Sequence, residues 1–398
     1  MTPSFIHLRV HSSYSLAEGA IKVVEDKAKE GFTPPRKDLI KLCRKHDMPA
    51  VALTDKGNLF GALELGQAAA DAGVQPIIGC QIAVLRPDQA SLKTMTRDGY
   101  DQLVLLVQNE QGYRNLSALV TLSFVEKDRP YPFVAAEELT RHTEGLIALS
   151  GGTEGEVGRL LIGGQHDAAE AALQKHAALF PSRFYVEITR HHGGANGANE
   201  QRIEHELIEL AYKHALPLVA TNDVYFGEPD MYDAHDALLC IADKMVVAEK
   251  NRRHLTRDYC FKSAAEMRAL FADLPEACDN TLVIAKRCAF MPALRKPILP
   301  AFPTEAGRSE EQELRAQAKE GLKARLDSTG ITDHTAYEER LVFELDTIIK
   351  MGFADCRKRI DRRALENGRR GESQSAATGC QELPGAVCCR PWRDTQCP

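Results

Sequence analysis

Two histidines near the amino terminus are the first residues whose types and spacing suggest chemistry. His7 and His11 lie within and just after the apolar segment Phe5–Val10. Residues four apart on a strand share a face, so the two rings could face one site. Histidines are more often buried or exposed without binding a ligand, so this pair alone is weak evidence for a metal site.

Polar residues or glycines also follow three other apolar segments. They are Thr54-Asp55-Lys56, Ser150-Gly151-Gly152 and Thr221-Asn222-Asp223. In (β/α) barrels the chemistry lies at the carboxyl ends of the strands. Three such ends favour an old active-site face, although each could instead begin a loop or cap a helix.

The elements that would position these residues alternate along the first 225 residues. Apolar segments separated by helical patterns are typical of a parallel sheet with helices outside it, and seven such segments favour a barrel of the (β/α) type. Helices are predicted at Asp38–His46 and at Ala62–Ala72, the second ending at Gly73. The predicted strands are Phe5–Val10, Ala50–Thr54, Pro76–Leu85, Leu103–Val107, Leu146–Ser150, Phe184–Ile188 and Leu216–Thr221.

Beyond the barrel the pattern becomes helical. Residues 231–295 are predicted to be a helical extension, and the Pro-rich residues 296–308 a linker. In residues 309–355 two helices begin another domain, with capping boxes predicted for Ser309 with Gln312 and for Thr335 with Glu338.

Residues 356–398 differ in character from all that precedes them. Periodicity is lost, and five of the 11 cysteines and the single tryptophan occur there. We interpret this tail as foreign to the fold and plausibly out of frame, the alternative being a genuine disordered tail.

Composition limits the class of protein. The chain has 398 residues and a net charge of −6. Affinity for nucleic acid depends on Lys and Arg, so an acidic chain is poor evidence that these residues form the main nucleic-acid-binding surface. No apolar run has the ~20 residues of a membrane helix, and no signal peptide is evident. We therefore expect a cytoplasmic protein without a membrane partner.

Eight segments, in order, resemble the front of bacterial DNA polymerase III alpha subunits, which opens with a PHP domain (polymerase and histidinol phosphatase). The resemblance covers roughly residues 5–355 and implies a distorted (β/α)7 barrel of the PHP type, followed by a mainly helical segment. Its clearest segments are HLRVHSSYSLAEGAI (7–21), AVALTDKGNLFGALE (50–64), QPIIGCQI (75–82), ALSGGTEGEVGRLL (148–161) and PLVATNDVYF (217–226).

The resemblance also implies where metal ligands would stand. Of about nine positions, this chain keeps only His7, Glu18 and Asp223. The other positions are occupied by Arg9, Lys56, Gln81, Gln102, Gly152 and Tyr225. Cations and neutral amides are poor substitutes for ligands of a divalent ion. We therefore expect no bound metal or other cofactor, and a relic site in which Arg9 and Lys56 form ion pairs with Glu18, Asp55 or Asp223.

The family's polymerase activity depends on palm carboxylates that hold Mg²⁺, and this sequence lacks them. We therefore expect no catalytic residues, and a truncated, inactive chain of a DNA-directed DNA polymerase. The resemblance implies partners: the proofreading exonuclease subunit, other polymerase III subunits and, in the full-length family, DNA. The alternative is a stand-alone PHP phosphoesterase or 3′–5′ exonuclease.

Two local patterns are weaker. The loop His191-His192-Gly193-Gly194 is a candidate metal or phosphate site, although a plain loop is the commoner reading. The basic stretch EKNRRHLTR (249–257) could touch DNA, although a solvated charged turn is favoured over it.

Overall fold

A computed structural model describes residues 5–24, 38–86, 99–125, 131–249, 251–295 and 307–353. The chain divides into two compact units, residues 1–294 and 295–398. Most of the predicted linker, residues 296–306, and the whole of the predicted foreign tail, 356–398, lie outside the described residues.

The first unit is built on a curled sheet whose six strands are ordered as they occur in the chain. The strands are β1 (Ala50–Leu53), β2 (Gln75–Leu85), β3 (Tyr100–Val107), β4 (Leu146–Leu149), β5 (Phe184–Thr189) and β6 (Leu218–Thr221). Their apolar side chains are buried on both faces, as predicted. The fold class is confirmed: an α/β barrel of the PHP type followed by helices.

The expectation of an all-parallel sheet was wrong at β3. This strand runs antiparallel to both β2 and β4, whereas the other neighbouring pairs are parallel. A run of apolar residues predicts a buried strand but carries no information on its direction. The reversal brings the beginning of β3 to the edge where the other strands end.

Segment Phe5–Val10 takes the seventh position without being a regular strand. On one side its His7 carbonyl accepts a backbone hydrogen bond from Ala52 of β1. On the other side its Arg9 carbonyl accepts one from Val224, just past β6. Two of its N–H groups donate instead to side-chain hydroxyls. The N–H of Ile6 donates to the hydroxyl of Thr281, and the N–H of Val10 donates to that of Thr54. These side-chain bonds interrupt the ladder and replace the predicted strand.

Ten helices in the described part of this unit cover the sheet. They are α1 (Leu39–Lys45), α2 (Ala62–Ala72), α3 (Glu110–Val125), α4 (Ala136–Arg141), α5 (Glu156–Ile162), α6 (His166–Leu179), α7 (Gly194–Lys213), α8 (Tyr232–Asp243), α9 (Ala264–Leu270) and α10 (Pro275–Arg287). Helix α2 ends at Gly73, as predicted, with the left-handed φ of 71° that glycine adopts readily.

Two apolar layers enclose the sheet. The larger layer lies between the strands and the outer helices. A smaller one fills the inside, where Ile6, Leu8, Ile77 and Leu106 pack with residues of α10. Because α10 also packs on β6, residues 231–294 belong to the same compact unit as the barrel.

The second unit contains α11 (Glu310–Thr329) and α12 (Thr335–Lys350). The predicted capping box at Ser309 and Gln312 is present, whereas Thr335 is the first helical residue and not a cap. Leu314 and Leu345 are buried against each other with Leu341 and Ile348 around them.

Candidate functional site

A cluster of charged and polar side chains fills the inside of the barrel above its apolar layer. Strand alternation puts it there: Gln81 lies four residues beyond the interior Ile77, and Glu187 lies two beyond the interior Tyr185. Gln102 joins them from the beginning of β3 because that strand is reversed. We call these residues, with Arg9, His11, Glu18, Lys56, Glu154, Asp223 and Tyr225, the polar cluster.

Arg9 lies at the centre of the polar cluster, and its side chain is only 3% exposed. Its Nη2 lies 2.9 Å from Oε2 of Glu154, and its Nη1 lies 3.4 Å from Oε1 of Glu187. Nε lies 2.8 Å from Oδ1 of Asp223, close enough for an ion pair although not aligned as a hydrogen bond. One guanidinium thus contacts three carboxylates.

Lys56 is the second paired cation of the polar cluster. Its Nζ lies 2.6 Å from Oε2 of Glu18 and 5.2 Å from the centre of the Tyr225 ring. The sequence suggested that Arg9 and Lys56 pair with Glu18, Asp55 or Asp223, and the structure pairs Arg9 with Asp223 and Lys56 with Glu18.

His11 connects the cluster to a hydrogen-bonded shell. Its Nε2 lies 2.8 Å from Oδ1 of Asp223, and its ring stacks on Tyr225 with the centres 4.5 Å apart. Asp55, which was offered as an ion-pair partner, instead accepts hydrogen bonds from the hydroxyls of Ser12 and Ser15.

Three neutral positions complete the polar cluster or border it. The side chain of Gln81 accepts from Arg9 at 3.2 Å and donates to Oε1 of Gln102 at 3.1 Å. Gly152 adopts a φ of 58°, and a Cβ built there would lie 3.9 Å from Nη1 of Arg9. The structure thus brings together all six substituted positions named from the sequence.

His7 is the exception among the predicted site residues. Its Nε2 bonds the carbonyl of Lys262 at 2.7 Å, and its ring packs against Phe5 and Phe261. Leu8 and Arg9 both face the interior, so the strand alternation breaks between them and His7 faces outward. The structure therefore puts His11, and not His7, beside Asp223.

Sequence reasoning missed three members of the polar cluster. His11 was noted but not carried into the site. Glu187 is a charged residue inside the apolar run FYVEIT and is fully buried, a pattern that could have drawn attention to it. Glu154 follows Gly152 by two residues in a short turn, and no pattern in the sequence indicates its direction.

The charges of the cluster stabilise one another. Burial raises the pKa of Glu18, but the cations Lys56 and Arg253 outweigh it and bring the pKa down to about 2. Burial opposes charge on Asp223 too, yet Arg9 and His11 hold its pKa well below the usual range. The pKa of Tyr225 is raised by burial and by Asp223, which keeps the phenol neutral.

This donor set does not fit a divalent cation. Arg9 already lies where the carboxylates converge, and Lys56 takes one oxygen of Glu18. Within the described ranges, no group of three or more His, Cys, Asp and Glu residues is arranged to hold a metal ion. A metal would have to displace two paired cations from a buried site.

The two weaker patterns also have definite surroundings. His191 is buried, stacked on Tyr259 at 3.8 Å and paired through Nδ1 with Glu200 at 2.8 Å. In the basic stretch, Arg252 and Arg253 are paired with carboxylates of α8 and with Glu18. Among the described residues of the stretch, these two arginines are paired, whereas Asn251, His254 and Arg257 are exposed.

Comparison with known proteins defines the class. Residues 7–191 match the family model described as the PHP domain. The matched span contains most of the polar cluster, and the fold agrees with it. The chain therefore carries a PHP domain.

The particular relatives are DNA polymerase III alpha subunits. The protein of that name from Caulobacter vibrioides is 49% identical over 351 residues, which covers 88% of this chain and 29% of the relative. The one from Pseudomonas aeruginosa is 38% identical over 363 residues, 89% of this chain and 29% of the relative. The chain thus spans about three tenths of the length of these relatives.

Among solved structures, an amidohydrolase from Chromobacterium violaceum matches with a TM-score of 0.32 and 14% identity, covering 55% of this chain and 87% of its own.

Among the helices described here, none combines the length and apolar character needed to cross a membrane.

Proposed function

We propose that this chain is a replication protein of the DNA polymerase III alpha type whose PHP domain is a structural scaffold and not a metal-dependent hydrolase. The observation that supports this most is the position of Arg9. Its guanidinium contacts Glu154, Glu187 and Asp223, so a cation of the protein already occupies the place where these carboxylates converge. Similarity over 88% of the chain supports the polymerase class.

The way in which the polar cluster is built supports the proposed scaffold role. Its residues come from the amino-terminal segment, from three strands and from the segments that follow β1, β4 and β6. A buried network of this kind fixes distant parts of the chain relative to one another. Such a domain presents a rigid surface to a partner, and the family resemblance favours a proofreading exonuclease subunit as that partner. The other polymerase subunits and DNA would bind to the remaining parts of a full-length polymerase.

Hydrolysis by this domain is the second candidate. Metal-dependent phosphoester cleavage requires ions that activate water and hold the phosphate. The cations of the polar cluster are already paired with carboxylates. Its two amides, Gln81 and Gln102, are hydrogen-bonded to each other. These contacts disfavour hydrolysis.

The proposal is tested by incubating the purified chain with 3′-labelled DNA and with phosphomonoesters, with and without added Mn²⁺ or Zn²⁺. We expect no release of nucleotides or phosphate beyond that of a chelated sample. Release that is metal-dependent and lost on Asp223→Asn would overturn the scaffold assignment. Capture of an exonuclease subunit by the immobilised chain would test the partner separately.

A further inference from the structure

Residues 251–257, which we call the strap, run over the surface beside helix α8. Arg252 donates two hydrogen bonds to Asp236 of α8, at 2.7 and 2.6 Å, and its side chain is only 4% exposed. Arg257 lies over the ring of Tyr232 at 5.5 Å. These contacts fix the strap to α8 at both of its ends.

Arg253 makes a different connection. Its Nε lies 3.1 Å from Oδ2 of Asp243, at the end of α8, and its Nη1 lies 3.3 Å from Oε1 of Glu18. The other oxygen of Glu18, Oε2, lies 2.6 Å from Nζ of Lys56. One carboxylate therefore joins a cation of the polar cluster to a cation of the strap.

The backbone of Glu18 is also tied to α8. The carbonyl of Glu18 accepts a hydrogen bond from Nε2 of His235, 2.7 Å away, and His235 is almost completely buried. The loop that carries Glu18 is thus fixed independently of its side chain. The carboxylate can be altered without removing the loop from its place.

We infer that Glu18 is a latch: its carboxylate couples the polar cluster to the strap, so that its pairing with Arg253 slows local opening of the strap beyond what the contacts with α8 achieve. The inference rests on the proposed function in one respect, because a divalent ion bound by Glu18 would compete with both cations. In a metal-free cluster, one oxygen of the carboxylate holds Lys56 and the other holds the strap.

Hydrogen–deuterium exchange of the full chain measures how often the strap opens, because amides exchange during local opening. Hydrogen bonds to charged groups are strong enough that we expect Arg253→Gln to speed exchange in residues 251–257 about tenfold. The matched control, Asp243→Asn, removes the other partner of Arg253 and keeps Glu18. It should stay within about threefold of the unmodified chain, since the latch remains.

Glu18→Gln should speed exchange in residues 251–257 as Arg253→Gln does. In the double variant the exchange rate should exceed that of either single variant by no more than about twofold, because both changes break the same contact. Additive effects would overturn the latch. So would exchange in Arg253→Gln within twofold of the unmodified chain, or equal opening in Asp243→Asn. If Glu18→Gln does not fold, the comparison of Arg253→Gln with Asp243→Asn decides alone.

Metal analysis of the same samples separates this inference from the proposed function. Bound metal at one ion per chain would contradict the scaffold assignment. An unchanged strap in metal-free Arg253→Gln would contradict the latch alone.

Discussion

Arg9 is the residue on which the polar cluster depends. It is buried, and it is in contact with carboxylates contributed by the turn after β4, by β5 and by the segment after β6. Removing one partner from a buried ion-pair network leaves uncompensated charge, which costs far more than losing a surface pair. The consequence is a large and specific loss of stability.

We expect Arg9→Met, which keeps much of the side-chain volume, to lower the free energy of unfolding by about 3–5 kcal/mol. Urea denaturation followed by circular dichroism measures it. The control is Arg114→Met, which removes an exposed ion pair with Glu110 and should change stability by no more than about 1 kcal/mol. Similar small losses in both variants would show that the guanidinium does not hold the cluster together.

His7 gives the unit a pH dependence that is separate from the cluster. Burial lowers its pKa to about 4, below the ordinary value near 6.5. Between these values the unfolded chain binds a proton that the folded chain does not. Stability is therefore complete above the ordinary pKa and is lost as the pH falls towards 4.

His7→Gln should remove this dependence while keeping a side-chain donor. From pH 7 to pH 5 we expect the unmodified chain to lose about 2 kcal/mol more than the variant does. Urea titrations at several pH values measure the difference, and His205→Gln, at an exposed position, is the control. Parallel profiles for the His7→Gln variant and the unmodified chain would be inconsistent with a buried, neutral His7.

At the level of elements, the sequence predicts that a strand exists and is buried better than it predicts the direction of the strand or which side chains face inward. The apolar run Leu103–Val107 marked a strand but not its reversal, and so could not place Gln102 in the cluster by geometry. The alternation of Phe5–Val10 put His7 and His11 on one face. In the structure this alternation breaks between Leu8 and Arg9, and on either side of the break the N–H groups of Ile6 and Val10 donate to the hydroxyls of Thr281 and Thr54, which are distant in sequence.

Helix α5 follows the turn that carries Glu154, and it packs tightly on that turn. A Cβ at Gly158 would lie 2.1 Å from the carbonyl oxygen of Gly152, whereas one at Gly163 would lie 3.4 Å from its nearest neighbour. The spacing of α5 from the turn is therefore set by the absence of a side chain at Gly158.

We expect Gly158→Ala to destabilise the protein by about 1–3 kcal/mol through overpacking. Gly163→Ala, at the C-cap of the same helix with an ordinary φ of −76°, should change stability by less than about 0.5 kcal/mol. Thermal and urea denaturation of both variants make the comparison. Equal tolerance of alanine at the two sites would mean that the turn is not held by this close approach.

At the scale of the whole molecule, the chain aligns with about three tenths of the length of DNA polymerase III alpha subunits. Our proposal assigns to it the structural part of such a polymerase. The residues named from the family resemblance at substituted positions came together in the fold. Their mutual pairing could be suggested from charge alone, but the part played by Glu154 and Glu187 required the three-dimensional arrangement.

The proposal predicts that this chain alone does not extend a primer. Two Mg²⁺ ions held by carboxylates are needed to align the primer end and the triphosphate, and the sequence offers no such motif. A primed template with all four nucleotides and Mg²⁺ tests this, with a full-length alpha subunit as the positive control. Incorporation by a preparation free of other polymerases would refute it.

The most direct test of the central claim is the metal content of the purified chain. After incubation with Zn²⁺, Mn²⁺ or Mg²⁺ and exhaustive dialysis, elemental analysis should find well under one equivalent per chain, because Arg9 and Lys56 already neutralise the carboxylates of the polar cluster. One or more equivalents of Zn or Mn, lost on Asp223→Asn, would contradict a cluster that is held together by ion pairs.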